Sequence, residues 1–295
     1  MKKILLLTDF SEASEKAIHF AQKLFDDTAV EFDLLHAYPI EPETMYEVGI
    51  RMKEAERLAF RSLQTQLSEL TAHFHPPFHA YHLLTVPGNP VDAVEAALEQ
   101  KAYDFVVVGA SGAGFLPVLG SVATGLIRHA KTNVLVVPKN AAIQPLRDVV
   151  LATDYATLLD PTCLEPLKEL TTRKTARLTA LAVVDQPAKT ATAEALERYQ
   201  QQIEPVFDTI FTEPYFLRDE DVDRGIDTYL DTHTVDLLVT VPYRKSLLDA
   251  VWNRSLTRRL AYNPRVPLLA LYDPEPAERS APEALHPKAE TEKPA

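Results

Sequence analysis

The sequence predicts a doubly wound α/β protein built from two copies of one domain, each with a five-stranded parallel sheet. Three observations predict it. Short apolar runs alternate with amphipathic helical stretches along the chain. The opening run Ile4-Leu5-Leu6-Leu7-Thr8-Asp9-Phe10 returns as Val149-Val150-Leu151-Ala152-Thr153-Asp154-Tyr155, 145 positions later. The ends of the copies match as well, with Leu119-Gly120-Ser121-Val122 set against Asn253-Arg254-Ser255-Leu256 at an offset of 134, so the second copy is 11 residues shorter.

The elements follow in order. Lys3–Thr8 is a bounded apolar run and reads as a buried strand. Ser11 caps the helix after it, on whose inner face fall Ala13, Ala17, Ile18, Ala21, Leu24 and Phe25. Phe32–Tyr38 is the second strand. A long helix spans about 44–74, with Ala55, Ala59, Leu63, Leu67 and Leu70 three or four apart, and Pro76-Pro77 ends it. Phe78–Val86 is the third strand. Pro87-Gly88-Asn89-Pro90 turns the chain into a helix over Val91–Gln100. Phe105–Val108 is the fourth strand, a helix starts at Ser121, and Val134–Val137 is the fifth strand. The second copy gives strands at Val149–Thr153, Leu178–Val184, Thr212–Leu217, Leu237–Val241 and Leu268–Leu271. Its helices fall near 160–172, 190–209, 224–232 and 255–262. The expected domains are residues 1–140 and 146–273. Residues 274–295 are rich in Pro, Glu, Lys and Ala and read as a disordered tail.

Composition narrows the function. Of 295 residues 46% are hydrophobic, enough for two cores. The net charge of -12 argues against a nucleic-acid backbone as main partner. The lone Cys163 forms no intrachain disulfide, which fits a reducing cytoplasm. The apolar run at the N-terminus is broken by Asp9, Ser11 and Glu12, far short of a membrane span.

One segment could carry chemistry. Gly109-Ala110-Ser111-Gly112-Ala113-Gly114 follows the fourth strand, and Gly120-Ser121 opens a helix. Strand, glycine loop and helix N-terminus together form an anion site, because backbone N–H groups reach phosphate oxygens where no Cβ intervenes. The attraction is local, so an acidic protein can hold an anion. Two familiar loops are excluded. A P-loop needs lysine where Gly120 stands, and the dinucleotide fingerprint needs its glycines after the first strand, where this chain has Thr8-Asp9-Phe10-Ser11.

These residues resemble the universal stress protein family, a group of flavodoxin-like domains some of which bind ATP. The likeness covers about residues 1–273. It rests on Thr8-Asp9-Phe10-Ser11, Leu34-Leu35-His36-Ala37, Pro87-Gly88-Asn89-Pro90, Val107-Val108-Gly109 and Gly120-Ser121. The resemblance implies that Gly109, Gly112, Gly120 and Ser121 cradle ribose and phosphates of an adenine nucleotide, with or without Mg. It implies that Asp9 lies near the adenosine and that the Ala37 backbone bonds the adenine edge. It also implies that fifth strands pair, giving an internal pseudo-dimer, with a homodimer of chains and a protein partner as further expectations. The chain departs from the family's glycine pattern. Seven residues separate Gly112 from Gly120 where the family has nine, and the loop carries Pro117 and no lysine.

The second copy departs further. Thr240 or Val241 stands near the place of Gly109, and Arg254 replaces Gly120. An arginine there blocks the cradle, so this copy reads as a pseudo-subunit without ligand. Arg244, Lys245, Arg254, Arg258 and Arg259 offer another way to hold an anion. Trp252 and Tyr243 flank the degenerate loop. His73, His75, His79 and His82 crowd one junction, but His79 and His82 face opposite ways on a strand, so a metal site is not expected. His36 reads as a core histidine, Asp9 also as a helix-capping residue, and Cys163 as packing. No hydrolase triad, zincin or kinase motif is present. The expected function is therefore a cytoplasmic, nucleotide-binding regulator, with a ligand-free scaffold or a slow nucleotide hydrolase as alternatives.

Overall fold

A computed structural model describes residues 1–39, 48–73, 76–110, 121–153, 161–184, 189–242, 260 and 264–273. The first half supplies β1 (Lys2–Leu7), β2 (Val30–Tyr38), β3 (His79–Pro87), β4 (Phe105–Ala110) and β5 (Asn133–Pro138). The second supplies β6 (Asp148–Ala152), β7 (Arg177–Val184), β8 (Thr212–Arg218), β9 (Leu237–Thr240) and β10 (Leu268–Ala270). The helices are α1 (Glu12–Leu24), α2 (Val48–His73), α3 (Pro90–Gln100), α4 (Ser121–His129), α5 (Glu165–Lys174), α6 (Lys189–Gln202) and α7 (Val222–Thr232).

Among the described residues the strands form one sheet in the order β3-β2-β1-β4-β5-β10-β9-β6-β7-β8. Each half is parallel and doubly wound, and the halves meet where β10 runs antiparallel to β5, with Leu269 opposite Leu135. Because both faces are covered by helices, the central strands β1, β4, β5, β6 and β9 are largely apolar, while the edge strands β3 and β8 carry exposed polar residues. Ile4, Leu6, Phe32 and Leu34 face one core with Ala17, Ala21 and Leu63. Leu5, Leu7, Leu35 and Val106 face the other with Val94, Leu126 and Ile127. Each core draws residues from both halves. Each fully buried leucine or isoleucine contributes roughly 1.5–3 kcal/mol.

Two aspartates repeat a structural device. Asp104 Oδ2 accepts the Lys3 N–H at 2.8 Å, and Asp236 Oδ2 accepts the Asp148 N–H at 2.9 Å. Each carboxylate ties the start of a central strand to the residue before its neighbour. Asp236 also accepts the Arg147 N–H at 2.8 Å and the Gln144 amide at 2.6 Å, which anchors the segment joining the halves.

An ion cluster closes the seam on one face. Asp26, beyond the end of α1, accepts from Lys23 and from Lys174 of α5, each at 2.7 Å. Arg173 pairs with Asp27 and lies over the Phe25 ring at 5.3 Å. Burial alone would raise the Asp26 carboxyl, but the hydrogen bonds from Lys174 and Lys23 outweigh it and hold it below the ordinary range. Burial pushes Lys174 down despite the same pair. A cavity of about 400 Å³ opens beside this cluster, lined by Phe20, Asp26, Gln144, Arg173 and Arg265.

Three elements differ from expectation for identifiable reasons. β4 runs on through Gly109 and Ala110, which pair with Val137 and Pro138, so Gly109 belongs to a strand and not to a loop. The helix expected from residue 160 starts as a 3-10 turn over Pro161–Leu164, and α5 begins at Glu165 with Pro166 in its first turn. The helix expected to reach residue 209 ends at Gln202, because Pro205 lacks an N–H and disfavours helical backbone before it. The tail at 274–295 and the helix expected at 255–262 fall outside the described residues, save position 260.

Candidate functional site

The strand order reverses at β1. From β1 the chain moves to β2 and β3, then returns on the other side to β4 and β5. Connections leaving in opposite directions open a crevice at the carboxyl ends of β1 and β4. Three expected site residues lie there: Asp9, Ala37 and Gly109.

The turn after β1 is held by its own side chains. The Thr8 N–H donates to Leu35 O at 2.9 Å. The Thr8 hydroxyl donates to Gln66 Oε1 of α2 at 3.0 Å and accepts the Phe10 N–H at 3.1 Å. Asp9 Oδ1 accepts the Ser11 hydroxyl at 2.6 Å and the Ser11 N–H at 3.1 Å. Ser11 is the N-cap of α1, its hydroxyl accepting the Ser14 N–H. Ser11 is thus the cap, and Asp9 positions it. Partial burial raises the Asp9 carboxyl, but the Ser11 hydroxyl and N–H outweigh that and hold it below the ordinary aspartate range. Asp9 is an exposed anion at the mouth of the crevice.

Ala37 presents backbone to the same space. In a parallel sheet, residues two apart direct their N–H and C=O to the same neighbour. Leu35 O accepts from Thr8, on the β1 side, while Tyr38 O accepts the Gly88 N–H on the β3 side. Ala37 therefore faces the β1 side, two residues past the last β1–β2 pair, Leu7 with Leu35. The next residue back, His36, is half-buried, and its Nδ1 lies 2.8 Å from Thr8 O.

Gly109 has a different physical reason from the one its sequence context implies. A Cβ built on it would lie 2.4 Å from the Ala13 carbonyl carbon and oxygen and 2.7 Å from Ser14 N. The space left by the missing side chain is filled by the first turn of α1. Gly112 and Gly120 fall outside the described residues, and Ser121 is the first residue of α4.

The second half has the same frame with different contents. The Thr153 N–H donates to Leu181 O at 3.0 Å, as Thr8 does to Leu35. Leu5 pairs with Val106, and Val150 with Leu238, so Val241 holds the register position of Gly109. The Asp219 N–H donates to Val184 O, as Gly88 does to Tyr38 O. In that turn Asp219 takes two hydrogen bonds from Arg224, at 2.6 and 2.9 Å, which hold its carboxyl below the ordinary range. Asp154, Arg254 and Ser255 lie outside the described residues, as do Tyr243, Trp252, Arg244, Lys245, Arg258 and Arg259.

His79 and His82 face different surroundings, while His75 and the His73 side chain lie outside the described residues. His79 is buried with Nε2 3.1 Å from Phe25 O, while His82 is exposed against Glu31 at 3.1 Å. Glu31, Asp33 and His82 offer ligand atoms within 4.8 Å of one another. Lys101 already supplies a cation there, its ammonium 2.9 Å from Glu31 and 2.7 Å from Asp33. Cys163 is buried in the core. Among the described residues no helix is long and apolar enough to cross a membrane.

Sequence reasoning missed Gln66, Phe10 and the Asp104–Asp236 pair. A signal existed for two of these. An aromatic follows the aspartate in both openings, Phe10 and Tyr155, and an aspartate precedes the fourth strand of both copies.

Residues 1–138 match the model of the universal stress protein family. The chain is similar to a universal stress protein of Archaeoglobus fulgidus, with 17% identity and a TM-score of 0.65, covering 91% of this chain and 97% of that one. A Pseudomonas aeruginosa protein described as a universal stress protein has 12% identity and a TM-score of 0.57, covering 92% of this chain and 93% of that one. The cytoplasmic domain of a prokaryotic cation chloride cotransporter has 12% identity and a TM-score of 0.53, covering 92% of this chain and 95% of that one. No curated protein matches. Through residues 1–138 the chain belongs to the universal stress protein family. The cotransporter domain has the same double fold, so the fold by itself does not name a function.

Proposed function

We propose, from the membership of residues 1–138 in the universal stress protein family, that this protein binds an adenine nucleotide at the first switch point and acts as a ligand-dependent stress regulator. The observation that carries the proposal is the backbone of Ala37 turned into the crevice beside the Thr8–Ser11 turn. A strand edge that no described residue pairs with offers one donor and one acceptor there, the complement of an adenine edge. α4 begins at Ser121, and a helix N-terminus favours phosphate. On this reading Gly112, Gly120 and Ser121 supply donors to the phosphates, Asp9 lies near the sugar, and ATP with or without Mg is the ligand. The proposed units are residues 1–140, carrying the site, and 146–273, without one; the proposed setting is the cytoplasm.

The experiment is thermal shift and calorimetry with ATP, ADP and AMP. Ligand that binds only the folded state raises the melting temperature. The shift is expected to vanish in Gly120→Arg, which copies the second half. No shift at millimolar nucleotide defeats the proposal.

One observation favours a second reading, a scaffold without nucleotide. The glycine at 109 is required by α1 whether or not a ligand binds. Purified protein free of nucleotide, and unmoved by added nucleotide, supports that reading.

A further inference from the structure

We infer that Phe10 is a stacking platform for the base of the bound nucleotide, held ready by the His36 ring and by a strained turn. The inference rests on the nucleotide reading above.

Phe10 has φ 63°, in the left-handed region that non-glycine residues avoid. Such strain persists only where surrounding contacts over-determine it. Here the Thr8 hydroxyl takes the Phe10 N–H at 3.1 Å, Gln66 takes the Thr8 proton at 3.0 Å, and Asp9 takes the Ser11 N–H at 3.1 Å. The turn thus holds a bulky aromatic where glycine or asparagine would be relaxed. Phe10 is 38% exposed and belongs to neither core. Core packing does not account for the strain.

The Phe10 ring is oriented by the His36 ring. Its centroid is 4.4 Å from that of His36, at an interplanar angle of 44°. His36 is itself fixed. Its Nδ1 lies 2.8 Å from Thr8 O, and a carbonyl only accepts, so Nδ1 carries the proton. In the neutral ring Nε2 is then a bare acceptor. Ala37, next along β2, turns its N–H and C=O to the same side, where β1 has ended. An exposed aromatic ring, a ring acceptor and a backbone donor–acceptor pair therefore share one strand end. That set suits a flat heterocycle with an amino group, which is the base half of an adenine nucleotide. It brings no cationic side chain to inorganic phosphate.

The test is calorimetric titration of the full chain with adenosine, ATP and inorganic tripolyphosphate, repeated for Phe10→Gly and Phe10→Trp. Phe10→Gly removes the ring and also relieves the left-handed strain, so the fold is expected to be kept, with an unchanged or higher melting temperature. Stacking of a base on an aromatic side chain corresponds to a weakening of about fivefold to a hundredfold on its loss. Phe10→Gly is expected to weaken adenosine and ATP by that factor and leave tripolyphosphate unchanged, and Phe10→Trp to hold or tighten adenosine. Adenosine or ATP binding as tightly to Phe10→Gly as to the unsubstituted protein overturns the platform and leaves the nucleotide reading standing. Failure of the unsubstituted protein to bind either overturns both.

Discussion

The two switch points of this chain share a frame and differ in what fills it. Both first strands are followed by a threonine whose N–H bonds to the neighbouring strand, Thr8 to Leu35 and Thr153 to Leu181. Both central strands are tied by an aspartate, Asp104 and Asp236. At the crevice the likeness stops. Gly109 gives way to Val241, and the turn with Gly88 at φ 118° gives way to Asp219 clamped by Arg224. A buttressing helix fits against glycine at 2.4 Å from its missing Cβ, and a valine forbids that approach. The contacts that tie the sheet recur in both halves, and the residues that border the two crevices differ.

The comparison can be broken most severely at position 109. Gly109→Val gives the first half the residue of the second, and its Cβ meets backbone, which cannot rotate away. The expected loss is roughly 3 kcal/mol, the upper end for overpacking, read as a lower urea midpoint. A midpoint unchanged within error would show that α1 shifts freely, and the packing explanation for Gly109 would fail.

The shared frame is tested next. Asp236→Ala strips the partner from two N–H groups and the Gln144 amide, and a loss of about 1–3 kcal/mol is expected. Asp104→Ala, which strips one N–H and a lysine contact, is expected to cost less. The reverse order would mean that the seam contributes nothing through Asp236.

The smallest effect is expected at the ion cluster, about 1 kcal/mol for Asp26→Asn at neutral pH. The Asp26 carboxyl is lowered in the folded protein, so its contribution is complete above the unfolded aspartate value near 3.9 and fades as pH falls through the lower folded value. Denaturation curves of the two proteins should therefore converge in acid. A gap that widens below pH 4 would reverse the sign and refute the pairing.

Much of this was legible beforehand because it is local. Apolar runs such as Ile4–Leu7 and Val134–Val137 are long enough to be strands and too short to be helices, and Ser11 stands where a cap belongs. Right-handed crossovers restrict the topology, but the order of the strands and the antiparallel seam between β5 and β10 come from the pairing itself. The reason for Gly109 was not legible, since a sequence shows that a side chain is missing and not what fills its place. The salt cluster of Asp26 and Lys174 joins residues 148 positions apart, and no spacing rule links them. Ala37 acquired meaning only when the register showed β1 ending two residues before it.

The proposed site is asymmetric between the halves. Calorimetric titration of the full chain with ATP measures that asymmetry directly through stoichiometry. The expected result is one nucleotide per chain, abolished by Gly120→Arg. Two nucleotides per chain, or none at millimolar ATP, would contradict it.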